Sequence, residues 1–125
     1  MNKKRIAFIL ITIIYMAGIC IVSLRSGPKT HGSGMAMQIL NNFLHIPVYG
    51  LLSYLILNCF SSISLKSYVS AFFLALIFGV LNEFFQAFTP DRTVSFMDIA
   101  LNMVGIISFL SISYFSGKTG SQPIN

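Results

Sequence analysis

The sequence predicts an all-α integral membrane protein in which four transmembrane helices pack as an antiparallel bundle. Of its 125 residues, 55% are hydrophobic and 9% are charged, whereas a soluble domain carries about 25% charged residues. The length matches four helices of about 20 residues, the number needed to cross the hydrocarbon core. The net charge of +5 is dispersed and comes with no recognition motif, so we expect no nucleic-acid partner.

Four apolar runs are each long enough to cross a bilayer as a helix. No strand-period alternation extends through them, and a single run in lipid must be helical because no water is present to bond its backbone. The last three runs are joined by short connectors, so neighbouring helices are expected to be antiparallel. The predicted spans are Ile6–Leu24, Ile46–Leu65, Tyr68–Phe88 and Val94–Phe115.

The first run follows a basic start, Lys3–Arg5, as a signal peptide does. Its apolar stretch is longer than a signal core, however, and no A-x-A-like cleavage site follows it. We therefore expect it to be retained as a membrane anchor. One four-helix domain then occupies residues 1–116, and residues 117–125 form a flexible cytoplasmic tail.

The distribution of Lys and Arg predicts the orientation in the cytoplasmic (plasma) membrane. With both termini in the cytoplasm, five basic residues lie inside and three lie outside, and the N-terminal cluster is the strongest determinant. The inner residues are Lys3, Lys4, Arg5, Lys66 and Lys118, and the outer residues are Arg25, Lys29 and Arg92.

The long connector after the first run has two parts. Gly27, Pro28 and the Gly32–Gly34 stretch predict a loop in its first half. In its second half, apolar residues recur at helical spacing from Met35 to Leu44. Three interpretations stay open for this half: a short helix in the outer interface, a re-entrant segment, or an early extension of the second span.

The two cysteines do not suggest a disulfide or a metal site. Cys20 and Cys59 are expected to differ in depth by roughly 15–20 Å at 1.5 Å per residue, which is too far for a disulfide. No Cys/His cluster has the spacing of metal ligands. We therefore expect neither a metal ion nor a cofactor.

The few polar residues inside the spans are the candidate site residues, because an ionisable residue at mid-helix costs about 2.5–3.5 kcal/mol on insertion scales. Residues three or four apart share one face of a helix, and each of the last three spans carries one polar stripe of this kind. The stripes are Gly79 with Glu83 and Gln86; Asp98 with Asn102 and Gly105; and His45 with Tyr49.

These stripes are predicted to line one shared pocket that opens to the extracytoplasmic face, since lipid would penalise them anywhere else. Glu83, His45 and Asp98 are candidate catalytic groups. The candidate ligand-binding residues are Arg92, Gln86, Tyr49 and Asn102.

The turn between the third and fourth spans also has a structural interpretation. Pro90 ends the third helix, and Ser95 followed by Asp98 is typical of a helix N-cap. Asp98 then favours the helix N-terminus, and Arg92 extends to the lipid head groups. In the functional interpretation, Arg92 pairs with Glu83 or Asp98 and recognises phosphate or carboxylate.

The same hairpin resembles the VanZ-like family of small membrane proteins. The motif is Glu83-x-x-Gln86-x-Phe88-x-Pro90-x-Arg92-x-x-Ser95-x-x-Asp98-x-x-x-Asn102-x-x-Gly105, and the pair His45-x-x-x-Tyr49 is similar to a second block of that family. The resemblance implies a four-helix membrane protein whose motif residues face the extracytoplasmic side. Because the family's namesake is associated with resistance to glycopeptides, particularly teicoplanin, it also implies a role in antibiotic resistance.

Three functions are compatible with these residues. The first is a cell-envelope protein whose pocket binds the polar head group of a membrane lipid, a lipid-linked envelope precursor or a peptide. The second is a membrane-embedded hydrolase or transferase acting on envelope lipids, with His45 or Glu83 as general base. The third is a small multidrug-type transporter, which the charge-free first span disfavours because such transporters carry their glutamate there.

Overall fold

The computed structural model describes residues 3–25, 39, 42–88 and 94–119. Within these ranges there are four α-helices and no strand, which confirms the all-α class. Three of the helices, the first, the third and the fourth, are long and apolar enough to cross a membrane. The helices are α1 (Lys3–Arg25), α2 (His45–Asn58), α3 (Leu65–Gln86) and α4 (Phe96–Thr119).

Helix α2 is shorter than the second predicted span. It has 14 residues, or about 21 Å at 1.5 Å per residue, and it ends at Asn58 rather than continuing to residue 65. The chain tightens there, because the N–H groups of Cys59 and Phe60 donate to carbonyls three residues back. A serine-rich stretch, residues 61–64, follows, and serine favours caps and turns over helix interiors.

Serine also determines where α3 and α4 begin. The Ser64 side chain accepts the N–H of Ser67 at 3.4 Å, so α3 starts at Leu65, three residues earlier than predicted. Helix α4 starts directly after Ser95 and extends to Thr119. Residues 117–119, predicted as the start of the tail, are therefore helical.

Two predicted features lie outside the described residues. Most of the connector between the first two spans falls on residues 26–38 and 40–41, and the turn that contains Pro90 and Arg92 falls on residues 89–93.

Helix α2 packs against each of the other three helices. The buried apolar core joins α2, α3 and α4, whereas Thr12 is the one buried side chain among those described in α1. Large apolar side chains cover the outside, as a lipid-facing surface requires. The core consists of Tyr49, Leu52, Ile56, Leu57, Ala71, Ala75, Ile106 and Leu110.

Helices α2 and α4 approach each other closely at Gly105. A Cβ atom at Gly105 would collide with the backbone carbonyl of Ile46 and come within 2.9 Å of its Cα. Glycine permits this contact because small residues let helix backbones approach closely. The predicted small residue on the fourth span thus has a defined packing role.

Two sets of polar contacts lie in different parts of this helix assembly. The first, which we call the polar end, contains His45, Glu83 and Asp98; Asn82 there donates to Ser23 at 2.8 Å. The second, which we call the basic end, contains the start of α1 and the short segment that joins α2 to α3; the Arg5 Nε donates to the Cys59 carbonyl at 2.7 Å.

Candidate functional site

The polar end brings together three ionisable side chains from three helices. His45 of α2, Glu83 of α3 and Asp98 of α4 each offer one nitrogen or oxygen atom, and these atoms all lie within 4.8 Å of one another. Glu83 is 1% exposed and Asp98 is 4% exposed, and His45 is half-buried. We call these three residues the His-Glu-Asp cluster.

The start of α4 holds the two carboxylates in place. The Ser95 hydroxyl accepts the N–H of Asp98 at 3.2 Å, which is the side-chain cap that the sequence predicted. The N–H of Ser95 donates to the Glu83 carboxylate at 3.4 Å, so α3 and α4 are joined at this point. Asp98 lies in the first turn of α4, where the helix dipole favours a negative charge.

His45 is oriented by Asn102. Its Nδ1 is 2.8 Å from the Oδ1 of Asn102, and because a carbonyl oxygen can only accept, Nδ1 is the donor. The Nε2 atom lies 3.9 Å from the Asp98 carboxylate, which is too far for a hydrogen bond. The imidazole also stacks on Tyr49, with 6.1 Å between ring centroids.

One turn away from the cluster, Tyr49, Gly79 and Asn102 face one another. A Cβ atom at Gly79 would lie 3.0 Å from the Asn102 Nδ2 and 3.0 Å from the Tyr49 ring. Tyr49 and Asn102 are both fully buried. The three polar stripes expected from helical spacing therefore do face each other in the structure.

The structure describes every candidate site residue except Arg92, which lies outside the described residues. Those described are buried or half-buried at the polar end, and hydrogen bonds or short distances link four of them directly. The described candidates are His45, Tyr49, Glu83, Gln86, Asp98 and Asn102.

Sequence reasoning missed one polar pair. Asn82 is 4% exposed and donates to the Ser23 hydroxyl at 2.8 Å, which attaches the end of α1 to α3. Asn82 is a polar residue within an apolar span, whereas Ser23 gives no signal in the sequence because a serine near a helix end is unremarkable. The general rule that a buried amide requires a hydrogen-bond partner could have indicated that Asn82 has one.

A family model described as VanZ/LLP1 matches residues 3–116. The chain belongs to the VanZ/LLP1 family. This confirms the resemblance suggested by the hairpin motif, and it makes the chain a VanZ-like membrane protein. The matched range contains the whole His-Glu-Asp cluster and all of α1, α2 and α3. No curated protein and no solved structure matched the chain.

In this VanZ/LLP1 chain, the cluster combines one imidazole with two carboxylates in a largely water-free setting. Such a group can accept hydrogen bonds from hydroxyl or ammonium donors, move a proton through the imidazole, or bind a cation. The two carboxylates carry up to two negative charges at a place where an uncompensated charge is costly. Because the cluster has the groups needed for each of these three roles, the polar end is the candidate functional site.

Proposed function

We propose that this VanZ/LLP1 protein is an antiparallel four-helix protein of the plasma membrane that binds the polar head group of an envelope component at its polar end. The component is a membrane lipid, a lipid-linked precursor or a peptide. The observation that carries the proposal is the convergence of His45, Glu83 and Asp98 within 4.8 Å. Ionisable groups in membrane segments mark functional sites by default because they are costly to insert.

Contacts at the two ends support the antiparallel arrangement. The end of α1 bonds the end of α3 through Ser23 and Asn82, while the start of α2 bonds α4 near its start through His45 and Asn102. Arg5 at the start of α1 bonds the carbonyl just after α2. Helices α1 and α3 thus run one way, and α2 and α4 run the other.

The basic residues support an orientation with the polar end outside. Lys3, Lys4 and Arg5 begin α1, and Lys66 lies in the first turn of α3, so all four are at the basic end. Basic residues favour the cytoplasmic side. The polar end then faces the outer leaflet, where lipid-linked envelope precursors and glycopeptides meet.

The head group is recognised through two kinds of contact in this proposal. The His-Glu-Asp cluster accepts hydrogen bonds from hydroxyl or ammonium groups, with Gln86 and Tyr49 beside it. Arg92, in the neighbouring turn of the sequence, supplies a planar donor fork for phosphate or carboxylate. Altered exposure of the bound precursor would reduce glycopeptide access, which connects the site to teicoplanin-type resistance.

Mass spectrometry of co-purified lipids tests head-group binding. We expect one class of envelope lipid to be enriched on the wild-type chain and reduced at least tenfold on Glu83→Gln, since the amide removes a charge but keeps the shape. Asn58→Leu, a polar change at the basic end, is the matched control and should retain the lipid. Identical lipid profiles for wild type and Glu83→Gln would refute the proposal.

Cysteine labelling tests the orientation. In a Cys20→Ala/Cys59→Ala background, Phe96→Cys at the polar end should react with a membrane-impermeant maleimide added to intact cells. Ser64→Cys at the basic end should react only after the membrane is permeabilised. Both residues are exposed, so access to reagent depends on the side of the membrane. The opposite labelling pattern would invert the orientation.

The orientation of His45 favours one alternative function, a hydrolase or transferase acting on envelope lipids. Asn102 fixes the Nδ1 side of the ring and leaves Nε2 as a base near two carboxylates, which is an arrangement that general-base catalysis uses. Turnover of an envelope-lipid panel by purified protein, abolished in His45→Gln, would establish this function. Absence of turnover together with lipid retention would leave binding as the activity.

A further inference from the structure

The donor set of the His-Glu-Asp cluster is that of a metal site. It offers one imidazole nitrogen and two carboxylate oxygens within 4.8 Å of one another. In a tetrahedral site, two ligand atoms that are each about 2.0–2.2 Å from a zinc-like ion lie about 3.3–3.6 Å apart. Side-chain movements that shorten these distances by up to about 1.5 Å therefore bring the three atoms onto one ion.

The side chain of Asn102 gives independent support from outside the donor set. A metal-binding histidine almost always donates its second ring N–H to an acceptor, which fixes the tautomer and the ring orientation. The Asn102 Oδ1 takes that role at 2.8 Å from Nδ1. The other nitrogen of the ring is consequently the one that faces the carboxylates.

The amide nitrogen of Asn102 points to a ligand beside the cluster. Asn102 is 0% exposed, and its Nδ2 makes no hydrogen bond within the described part of the chain. This donor faces α3 at Gly79, one turn from Glu83. A buried donor of this kind requires an acceptor, such as an oxygen atom of a bound molecule.

We propose that the Nε2 of His45 and one carboxylate oxygen each from Glu83 and Asp98 bind a divalent metal ion of the zinc type. A mixed imidazole and carboxylate set suits such borderline cations. A divalent ion also balances the two carboxylates beside a neutral imidazole, which lowers the cost of keeping them in a low-dielectric place. The sequence expectation of no metal site considered Cys/His spacing, and that criterion does not detect ligands on three separate helices.

The ion would make the polar end suited to anionic head groups. Three protein ligands leave at least one coordination position open, as in catalytic zinc sites. A phosphate or carboxylate oxygen of the head group fills that position; this part rests on the proposed function, whereas the metal site does not.

Metal analysis of the full chain, purified through a histidine-free tag in detergent, tests the site. After equilibration with micromolar Zn²⁺ and removal of free ion, we expect about one zinc per wild-type chain and a melting temperature that falls when a chelator is added. Glu83→Gln and Asp98→Asn should each weaken zinc binding at least tenfold. Asn102→Leu, a change in a positioning residue, should weaken it about 10–100-fold.

The matched controls remove the other groups that bind zinc. His31→Ala changes the histidine that lies outside the cluster, and Cys20→Ala/Cys59→Ala removes both thiols; each should keep the wild-type zinc content. Zinc lost in a control and retained in Glu83→Gln would place the ion elsewhere and overturn the proposal. A wild-type chain that binds no zinc would also overturn the proposal. This result does not depend on whether any variant folds.

The outcomes also separate this proposal from the proposed function. Zinc bound by the wild type without any enriched lipid would leave the metal site standing and remove head-group binding. An enriched lipid lost in Glu83→Gln, with no zinc on the wild type, would do the reverse.

Discussion

The two ends of the protein hold their polar side chains in opposite ways. At the polar end, Glu83 and Asp98 are buried between helices and are joined to neighbouring elements. At the basic end, Lys3 and Lys4 are exposed, and the half-buried Arg5 bonds a backbone carbonyl. The basic end also has a cavity of about 450 Å³, lined by Lys4, Arg5, Phe8, Asn58, Phe60, Ser61 and Ile63.

Side-chain length explains the difference. Lysine and arginine have long stems that carry the charge out to water or head groups while the stem stays among apolar groups. Short carboxylates lack this reach, so a carboxylate on an inward helix face stays buried and requires donors or a cation. The basic end therefore keeps its charges close to the surface, whereas the polar end holds its carboxylates in the interior.

The largest expected effect tests the close packing beside the polar end. Gly105→Ala places a Cβ atom against the backbone of Ile46, which cannot move aside as a side chain can. We expect the free energy of unfolding to fall by about 3 kcal/mol, the upper part of the usual range for overpacking. Reversible unfolding in mixed detergent, followed by circular dichroism, measures it.

Gly18→Ala is the matched control for this change. A Cβ atom at Gly18 has nothing within 4 Å, and alanine is the better helix former. The control should therefore be neutral or slightly stabilising. Equal effects at the two glycines would show that α2 and α4 are not in backbone contact.

The next effect compares one asparagine from each end. Asn102→Leu removes the buried acceptor of His45 and should lower the free energy of unfolding by about 2 kcal/mol, because the half-buried N–H of the imidazole loses its partner. Asn58 instead bonds a carbonyl of its own helix at an exposed position, so Asn58→Leu should stay within about 0.5 kcal/mol. Unfolding in the presence of a chelator keeps metal binding out of the comparison.

A similar loss for both asparagines would contradict the comparison. It would mean that the asparagine hydrogen bond at the polar end contributes no more to the free energy of unfolding than the one at the basic end.

A smaller effect concerns how α1 is attached. Ser23 and Asn82 bond at 2.8 Å at the polar end, and a double-mutant cycle with Ser23→Ala and Asn82→Ala should give a coupling of about 0.6 kcal/mol, the average for such bonds in membranes. Thr12 and Cys59 pair at 3.3 Å through sulfur, a weaker contact. The double-mutant cycle for Thr12 and Cys59 should therefore give a smaller coupling energy. A coupling larger than that of Ser23 and Asn82 would contradict the comparison of the two ends.

The smallest effect is expected at Arg5. Its Nε donates to the Cys59 carbonyl. The side chain is only half-buried, so a water molecule can donate to that carbonyl in its place. Arg5→Gln should change the free energy of unfolding by no more than about 0.5 kcal/mol. A loss comparable to that of Asn102→Leu would show that the basic end has an interlocked polar contact as well.

Much of the fold follows from local properties of the chain. The length and hydropathy of the apolar runs predict α1, α3 and α4, because a segment in lipid must satisfy its own backbone. The 3.6-residue period places Glu83 on the face of Gly79, and Asp98 on that of Asn102. The cap at Ser95 could also be predicted, since it depends on residues only three positions apart.

Other features depend on neighbours that are distant in sequence. Hydropathy alone did not reveal that α2 ends at Asn58. The serines that follow have apolar neighbours, so the hydropathy averaged over this stretch stays high. Ser23 acquires its role only beside Asn82. The distances that make His45, Glu83 and Asp98 one cluster depend on how far each helix is shifted and rotated against the next. Periodicity specifies which residues share a helix face but not which helix that face contacts. For α2 and α4, the contact between Gly105 and Ile46 determines how the two helices are aligned.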